Sequence, residues 1–534
     1  MRQYLFAVGR RVVQPDDGQP QRDREQHTAD DVDAFSWPVA LVIIAAWIAL
    51  CAVLAASPPA PAATAQADWR KIQTPPLRKF VPQQPTRLVL DNGLVIFLQP
   101  DTELPLVHVT LNVHGGSRDE PADQVGLVSL FSQVWRTGGT RGRTGDQIDD
   151  FLGLRAAKIE AHGDTDSMAL SAVCLKSDFD DVFKVLVEVL REPEFRADKL
   201  ELAKKQLFTA ISRRNDNPMA IAARESSKLA LGARHPYARH PEYATVNAVR
   251  REDLLLWHKR YIQPNNLLLG ISGDFDVAQM TTKLRSLLGG WAKGPPLPAP
   301  ELAFNPTKPG IYVVAKDDVN QSSIHLVQLG STRKNPDAYA LEVMNEVLGG
   351  GFAARLFSNV RSKKGLAYSV RGGVGMGWDV PSIYRLFVGT ESKNTQKAIQ
   401  ALYDEVNGMT QNPPTAAEVQ KAKDAILNSF VFTFDTKAKV LQDRMKLEFY
   451  GYPADYHEKY PEQIAKVTVD DVNRVAKKYL NPSGFAVLVV GNPQEFGGAL
   501  TGFGTVTPLD VTIPAPIKTP PPAVGAKPAG SAVH

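Results

Sequence analysis

Arg361 and Tyr368 lie seven residues apart in the stretch LGGGFAARLFSNVRSKKGLAY, which runs from Leu348 to Tyr368. Three glycines, Gly349, Gly350 and Gly351, follow an apolar helical run. A second short helical run carries Arg355, Arg361, Lys363 and Lys364 and stops at Gly365, and Tyr368 opens the strand that follows. A guanidinium and a phenol placed across a helix end can be aimed at one point. The competing reading is a glycine-punctuated turn beside a solvated basic helix.

Metal chemistry has little to work with. The body carries His108, His114, His162, His235, His240, His258, His325 and His457, and no two of them stand four apart on one expected helix. His108 and His114 share one face of a strand, being six apart, and His162-Gly163-Asp164 is a loop pair with ligand chemistry. Cys51 and Cys174 are the two cysteines, so neither a disulfide framework nor a cysteine zinc site can be built. Ser129 and Ser132 lack a nearby base in sequence that would activate either as a nucleophile.

These residues must be positioned by a chain of 534 residues, too long for one core. Hydrophobic content of 43% and charged content of 22% are ordinary for a globular protein, and a net charge of +4 without a long basic run argues against nucleic acid as the main partner. Residues 1–36 are polar. Residues 39–56 are eighteen residues without a charge, inside a segment 37–67 that reads as a signal peptide cleaved near Ala67 or as a single membrane anchor. Either way the body is expected outside the cytoplasm, in the periplasm or cell envelope. Beyond Thr505 the chain is rich in Pro and Ala, and 505–534 reads as a disordered tail.

Between these ends the chain repeats itself. The strand–turn–strand GLVIFLQPDTELPLVHVTLNV (93–113) is answered by GIYVVAKDDVNQSSIHLVQLG (310–330), and Leu127, Leu130 and Val134 by Leu341, Met344 and Leu348. Asp253, Tyr261, Pro264 and Gly273 recur as Asp471, Tyr479, Pro482 and Gly491, each shifted by 218. The fold class is therefore α+β, two copies of one unit. They span 78–290 and 307–500, joined by a Pro-rich linker at 291–306.

The ordered motifs DNGL (91–94), GGSRDEP (115–121), TGGT (137–140), NDNP (215–218), YIQPNNLLL (261–269) and GGGFAARLF (349–357) resemble the M16 peptidase family, also called pitrilysin or insulinase, from about Arg87 to Pro493. The resemblance implies two metallohydrolase-like α/β bowls facing each other as a clam shell. It also implies an HxxEH zinc motif on the helix after Gly126, where two His four apart reach one metal and the Glu between them polarises water. Here the departure is complete. Ser129 and Gln133 stand at the histidine positions, Ser132 at that of the Glu, and Thr209 at that of the third ligand. No zinc is expected on this chain.

The same resemblance maps the family's Arg/Tyr pair onto Arg361 and Tyr368, as donors to substrate backbone and to the charge developing on a scissile carbonyl. One such donor is worth about 2–4 kcal/mol. Gly349, Gly350 and Gly351 would leave backbone donors open to an extended peptide. The expected function is that of the zinc-free subunit of an exported heterodimeric M16 metallopeptidase. It would supply Arg361 and Tyr368 to a peptide held at the zinc of an HxxEH-bearing partner, and would be inactive alone. The alternative is an inert M16 scaffold or peptide-binding protein tethered at the membrane.

Overall fold

The structure, a computed structural model, describes residues 83–298, 300 and 302–515, all within one compact unit. The polar stretch 1–36, the apolar segment 39–56 with its two readings, and residues 516–534 lie outside the described residues. Among the described residues no helix is long and apolar enough to cross a membrane.

The first half builds β1 (Thr86–Val89), β2 (Val95–Pro100), β3 (Leu106–His114), β4 (Lys158–Gly163), β5 (Ser167–Leu175) and β6 (Leu267–Gly273). Its helices are α1 (Leu127–Thr137), α2 (Gly145–Gly153), α3 (Phe179–Arg191), α4 (Ala197–Ser212), α5 (Pro218–Leu231), α6 (Tyr243–Ala248), α7 (Arg251–Tyr261) and α8 (Val277–Leu288). The second half adds β7 (Gly310–Ala315), β8 (Gln321–Leu329), β9 (Ser331–Thr332), β10 (Ser369–Gly373), β11 (Met376–Gly377), β12 (Ile383–Glu391), β13 (Ala486–Gly491) and β14 (Val506–Pro508). Its helices are α9 (Ala338–Asn345), α10 (Thr395–Gln411), α11 (Ala416–Phe430), α12 (Lys437–Phe449), α13 (Tyr456–Lys466) and α14 (Val469–Tyr479).

The first sheet has the order β1-β2-β6-β3-β5-β4 and the second β10-β12-β8-β13-β7-β14. Read from β4 and from β10, the two orders are the same, with one exchange. The place that β1 holds beside β2 is taken in the second sheet by β14 beside β7. The expected tail is therefore corrected at its start. Val506–Pro508 pairs parallel with β7, and Leu509 and Val511 pack on the same apolar cluster. An edge strand tolerates Pro508, because the missing N–H falls where no ladder bond is needed.

The repeat residues have structural roles. Asp253 and Asp471 are the N3 carboxylates of capping boxes on α7 and α14, each accepting from the backbone N–H that opens its helix, at 2.7 and 3.1 Å. Pro264 and Pro482 begin the short 3-10 turns that lead into β6 and β13. Both strands are central in their sheets and buried along their whole length.

Each sheet covers its own helical core on one face. The core behind the first contains Leu130, Phe131, Trp135 and Leu186; that behind the second contains Leu341, Leu348, Leu402 and Val475. The opposite face of each sheet is covered by a helix from the other half. Ile221, Ala222 and Leu229 of α5 pack on Val327 of β8 and on Leu488 and Val490 of β13. Leu441 and Met445 of α12 pack on Phe97 of β2 and Leu268 of β6. This reciprocal exchange joins the halves more firmly than the Pro-rich linker between them.

Candidate functional site

Four of the expected positions fall on two packed helices. α1 buries Leu127, Leu130, Phe131 and Val134 and turns Ser129 and Gln133, one turn apart, to the exposed side. Glu120 anchors the start of this helix: its carboxylate accepts from Gly126 N–H at 3.0 Å and Val128 N–H at 2.7 Å. Burial pushes the Glu120 carboxyl up to about 7, against the pull of these two donors. Ser132 is buried, its hydroxyl without a partner, against Gly163 at the end of β4. Gln133 donates from its side-chain amide to the side-chain oxygen of Gln206 on α4. Thr209 is exposed and donates to its own helix, at Lys205 O, 3.0 Å away.

The residue facing Gln133 across the helix pair is thus Gln206, one turn before Thr209. Two hydroxyls and two neutral amides do not fit zinc, which takes thiolate, imidazole or carboxylate. Among the described residues no three His, Cys, Asp or Glu side chains gather where they could hold a metal. His162 is exposed at the end of β4, while Asp164 accepts from Asp166 N–H and Ser167 N–H and so shapes the turn. His114 stacks on Phe449 of α12 with ring centroids 3.9 Å apart.

The GGSRDEP segment locks the two halves together. Arg118 binds Asp166 at 3.1 Å, the Tyr237 hydroxyl at 3.1 Å and, in the second half, Asp379 at 2.8 Å. Tyr450 of the second half donates to the other oxygen of Asp166 at 3.0 Å. Its chemistry is that of an ion-pair network around a half-buried guanidinium.

Arg361 lies on a helical segment, Leu356–Lys363, wound wider than an α-helix. Lys364 N–H reaches back five residues to Asn359 O, and Leu366 N–H six residues to Val360 O. Gly365 takes the left-handed conformation at φ +62°, which closes this widened end and turns the chain toward β10. Wide turns of this type are rare and are frequently found at functional sites. The Arg361 guanidinium lies over the Phe357 ring at 4.5 Å, and Phe357 meets Phe352 edge-on at 4.9 Å. Phe352 is 82% exposed and Tyr368 86% exposed. Tyr368 is held by its backbone, N–H to Gly389 O at 3.1 Å, and its phenol points out with no hydrogen-bond partner among the described residues. Arg361 and Tyr368 thus share one segment without a hydrogen bond between them. The aromatic support, Phe352 and Phe357, was legible as FAARLF but carried no sequence signal of its role.

The three glycines divide. Gly349 backs onto β10 so closely that a Cβ would stand 2.5 Å from Gly372 O. Gly350 lies under the Glu346 carboxylate, and Gly351 is extended at φ −153°. Gly349 and Gly350 line a cavity of about 930 Å³, whereas Gly351, Arg361 and Tyr368 do not. Also lining it are His325, Arg371, Arg385 and Phe387 from the sheet, and Glu342 and Glu346 from the helical side. His325 accepts or donates at both ring nitrogens, to Ser226 and Ser323 at 3.2 Å each. Burial, with Arg385 and Arg371 nearby, drives its pKa down to about 3, so it is a neutral wall residue.

Comparison with known proteins agrees with this geometry. Residues 95–234 match the family described as Insulinase (Peptidase family M16), and residues 248–426 match the one described as Peptidase M16 inactive domain. The chain is 23% identical over 400 residues to the "Non-peptidase homolog YmxG" of Helicobacter pylori, covering 73% of this chain and 90% of that protein. It is 25% identical over 412 residues to an "Uncharacterized zinc protease" of Mycobacterium leprae, covering 75% and 91%. A solved M16 inactive domain from Pseudomonas fluorescens superposes with a TM-score of 0.67 at 24% identity, over 77% of this chain and 98% of that one. A protease from Helicobacter pylori superposes with a TM-score of 0.66 at 18% identity, over 77% and 100%. With both M16 halves matched in order and no HxxEH anywhere in its sequence, the chain belongs to the M16 peptidase family, as a homologue of the type that lacks that motif.

Proposed function

We propose that this chain is the zinc-free subunit of a heterodimeric, exported M16 peptidase that acts on peptides or unfolded polypeptides. The partner carries HxxEH and the zinc. This chain contributes Arg361 and Tyr368, which donate to the carbonyl oxygen of the bound peptide as negative charge develops there. The observation that carries the reading is the pairing of an unfit ligand set at Ser129, Gln133, Gln206 and Thr209 with an exposed, aromatic-backed Arg361 and an exposed Tyr368. Large exposed aromatics beside an arginine are the composition of a contact surface rather than of inert exterior.

The test is a quenched-peptide assay of the purified chain alone, of its HxxEH-bearing partner alone, and of the two together. The reading expects zinc-dependent cleavage from the mixture and none from this chain. Zinc-dependent cleavage by this chain alone would overturn it. A scaffold that merely binds peptide is the second reading, favoured by the cavity lined by Gly349 and Gly350, which Arg361 and Tyr368 do not reach.

A further inference from the structure

Arg371 on β10 and Arg385 on β12 project from the face of the second sheet that α5 covers. In the antiparallel register Arg371 stands opposite Phe387 and Arg385 opposite Gly373, so the two arginines are diagonal neighbours on one face. Arg371 lies 5.8 Å over the Phe387 ring, and Phe387 in turn packs on His325 with centroids 5.1 Å apart. All four line the 930 Å³ cavity.

The charges of this pair are unbalanced. Among the described residues neither guanidinium has a hydrogen-bond or ion-pair partner, and the Nε of Arg385 is buried without one. Burial, and to a lesser degree the neighbouring Arg371, lower the Arg385 pKa. The acids lining the cavity, Glu342 and Glu346, pair with neither guanidinium. Glu342 accepts from the Tyr460 hydroxyl at 2.6 Å, and Glu346 folds over Gly350. His325 is fixed by two serine hydroxyls and brings no counter-charge. The exposed guanidinium of Arg371 and the half-buried one of Arg385, with five donors each, thus line one cavity without a protein partner among the described residues.

We infer that Arg371 and Arg385 form a carboxylate-binding site for an acidic peptide segment lodged in this cavity. The planar fork of each arginine matches a carboxylate. The remaining wall suits peptide rather than a small inorganic ion: Met219, Val374, Ile426 and Phe430 supply apolar contact along the rest of the cavity. The volume lies in the range of pockets that enclose organic ligands. The site does not use Arg361 or Tyr368, so its test stands whether or not that pair acts in catalysis.

The probe is a labelled hexapeptide with one central Glu, titrated by fluorescence anisotropy into the purified chain without partner or zinc. Four forms separate the source of the carboxylate: Glu or Gln at the centre, each with a free or an amidated C-terminus. Removing the recognised carboxylate is expected to weaken binding about 10-fold or more, and Arg371→Gln or Arg385→Gln to do the same. Because Arg385 is half-buried with its Nε unpartnered, Arg385→Gln is also expected to raise the Tm of the ligand-free protein. The Glu peptide should raise the Tm of the wild type and leave that of the variants unmoved. Equal binding of the doubly neutral peptide, or unchanged binding by Arg371→Gln and Arg385→Gln, would overturn the site. So would displacement of the peptide by inorganic phosphate at concentrations below the peptide's own Kd, which would make it a phosphate site.

Discussion

The side-chain amide of Gln133 donates to the side-chain oxygen of Gln206, tying α1 to α4 at a position where the resemblance leads one to expect a metal ligand. A neutral amide pair closes the gap between the two helices by hydrogen bonding alone. Added zinc is therefore expected to leave the Tm of the wild type unchanged. The combination Ser129→His, Ser132→Glu, Gln133→His and Gln206→Glu should create zinc-dependent stabilisation of several degrees, following the ligand-linkage rule of about 2.7 kcal/mol at a hundredfold excess over Kd. Thr209→Glu in place of Gln206→Glu should give a smaller shift, because Thr209 lies one turn away. Differential scanning fluorimetry with and without zinc reads all three.

Asp337 gives the pH dependence of the second half. Its carboxylate accepts from Arg474 at 2.6 Å, Lys478 at 2.8 Å and the Tyr479 hydroxyl at 2.8 Å, and these partners hold its pKa down to about 2. A carboxyl depressed in the folded state stabilises it above the unfolded value of roughly 4, and the contribution is lost as pH falls from there through about 2. Asp337→Asn is expected to cost about 2 kcal/mol at pH 7 and almost nothing at pH 2. Urea melts at both pH values check it.

The exchanged helices make the halves one cooperative unit. Met445 of α12 packs so tightly over Gly270 of β6 that a Cβ there would stand 2.2 Å from its sulfur. Met445→Ala is expected to cost about 2–5 kcal/mol. Gly270→Val, which forces α12 off the first sheet, should destabilise at least as much. Calorimetry should show both variants melting in a single shifted transition. A split into two transitions would mean that the halves fold independently.

Much of this was legible in the sequence, for reasons that differ by element. The 218-residue shift was readable because Asp253 and Asp471 cap helices, Pro264 and Pro482 start turns, and Gly273 and Gly491 end central strands. Such backbone roles tolerate few residue types. The helix carrying Ser129, Ser132 and Gln133 was readable from its apolar period. Gln206 was missed because helix–helix register cannot be counted along one chain; it depends on how α4 lies against α1. The exchange of α5 and α12 was missed because each helix satisfies a sheet distant in sequence. The strand at Val506–Pro508 was hidden by its proline-rich setting, and only the vacancy beside β7 gives it a place. Arg371 and Arg385 were passed over because nothing in sequence marks two strand arginines as facing the same space.

The aromatic backing of Arg361 makes its own prediction. Phe357→Ala removes the ring over which the guanidinium lies and is expected to lower the activity of the paired enzyme about tenfold through misplacement of Arg361. Because Phe357 touches the exposed Phe352, thermal stability should fall little. Lost activity in step with lost Tm would reduce Phe357 to a packing residue.

The central claim is that Arg361 and Tyr368 act on a peptide bound at another subunit's zinc. Its most direct measurement is kcat/KM of the assembled pair with Arg361→Ala and Tyr368→Phe together in this chain. Both side chains are at or near the surface, so assembly and Tm should persist. The account predicts a fall of about 10²–10³ carried mainly by kcat, the cost of losing donors that act in the transition state. A pair that assembles and cleaves at the full wild-type rate would contradict it.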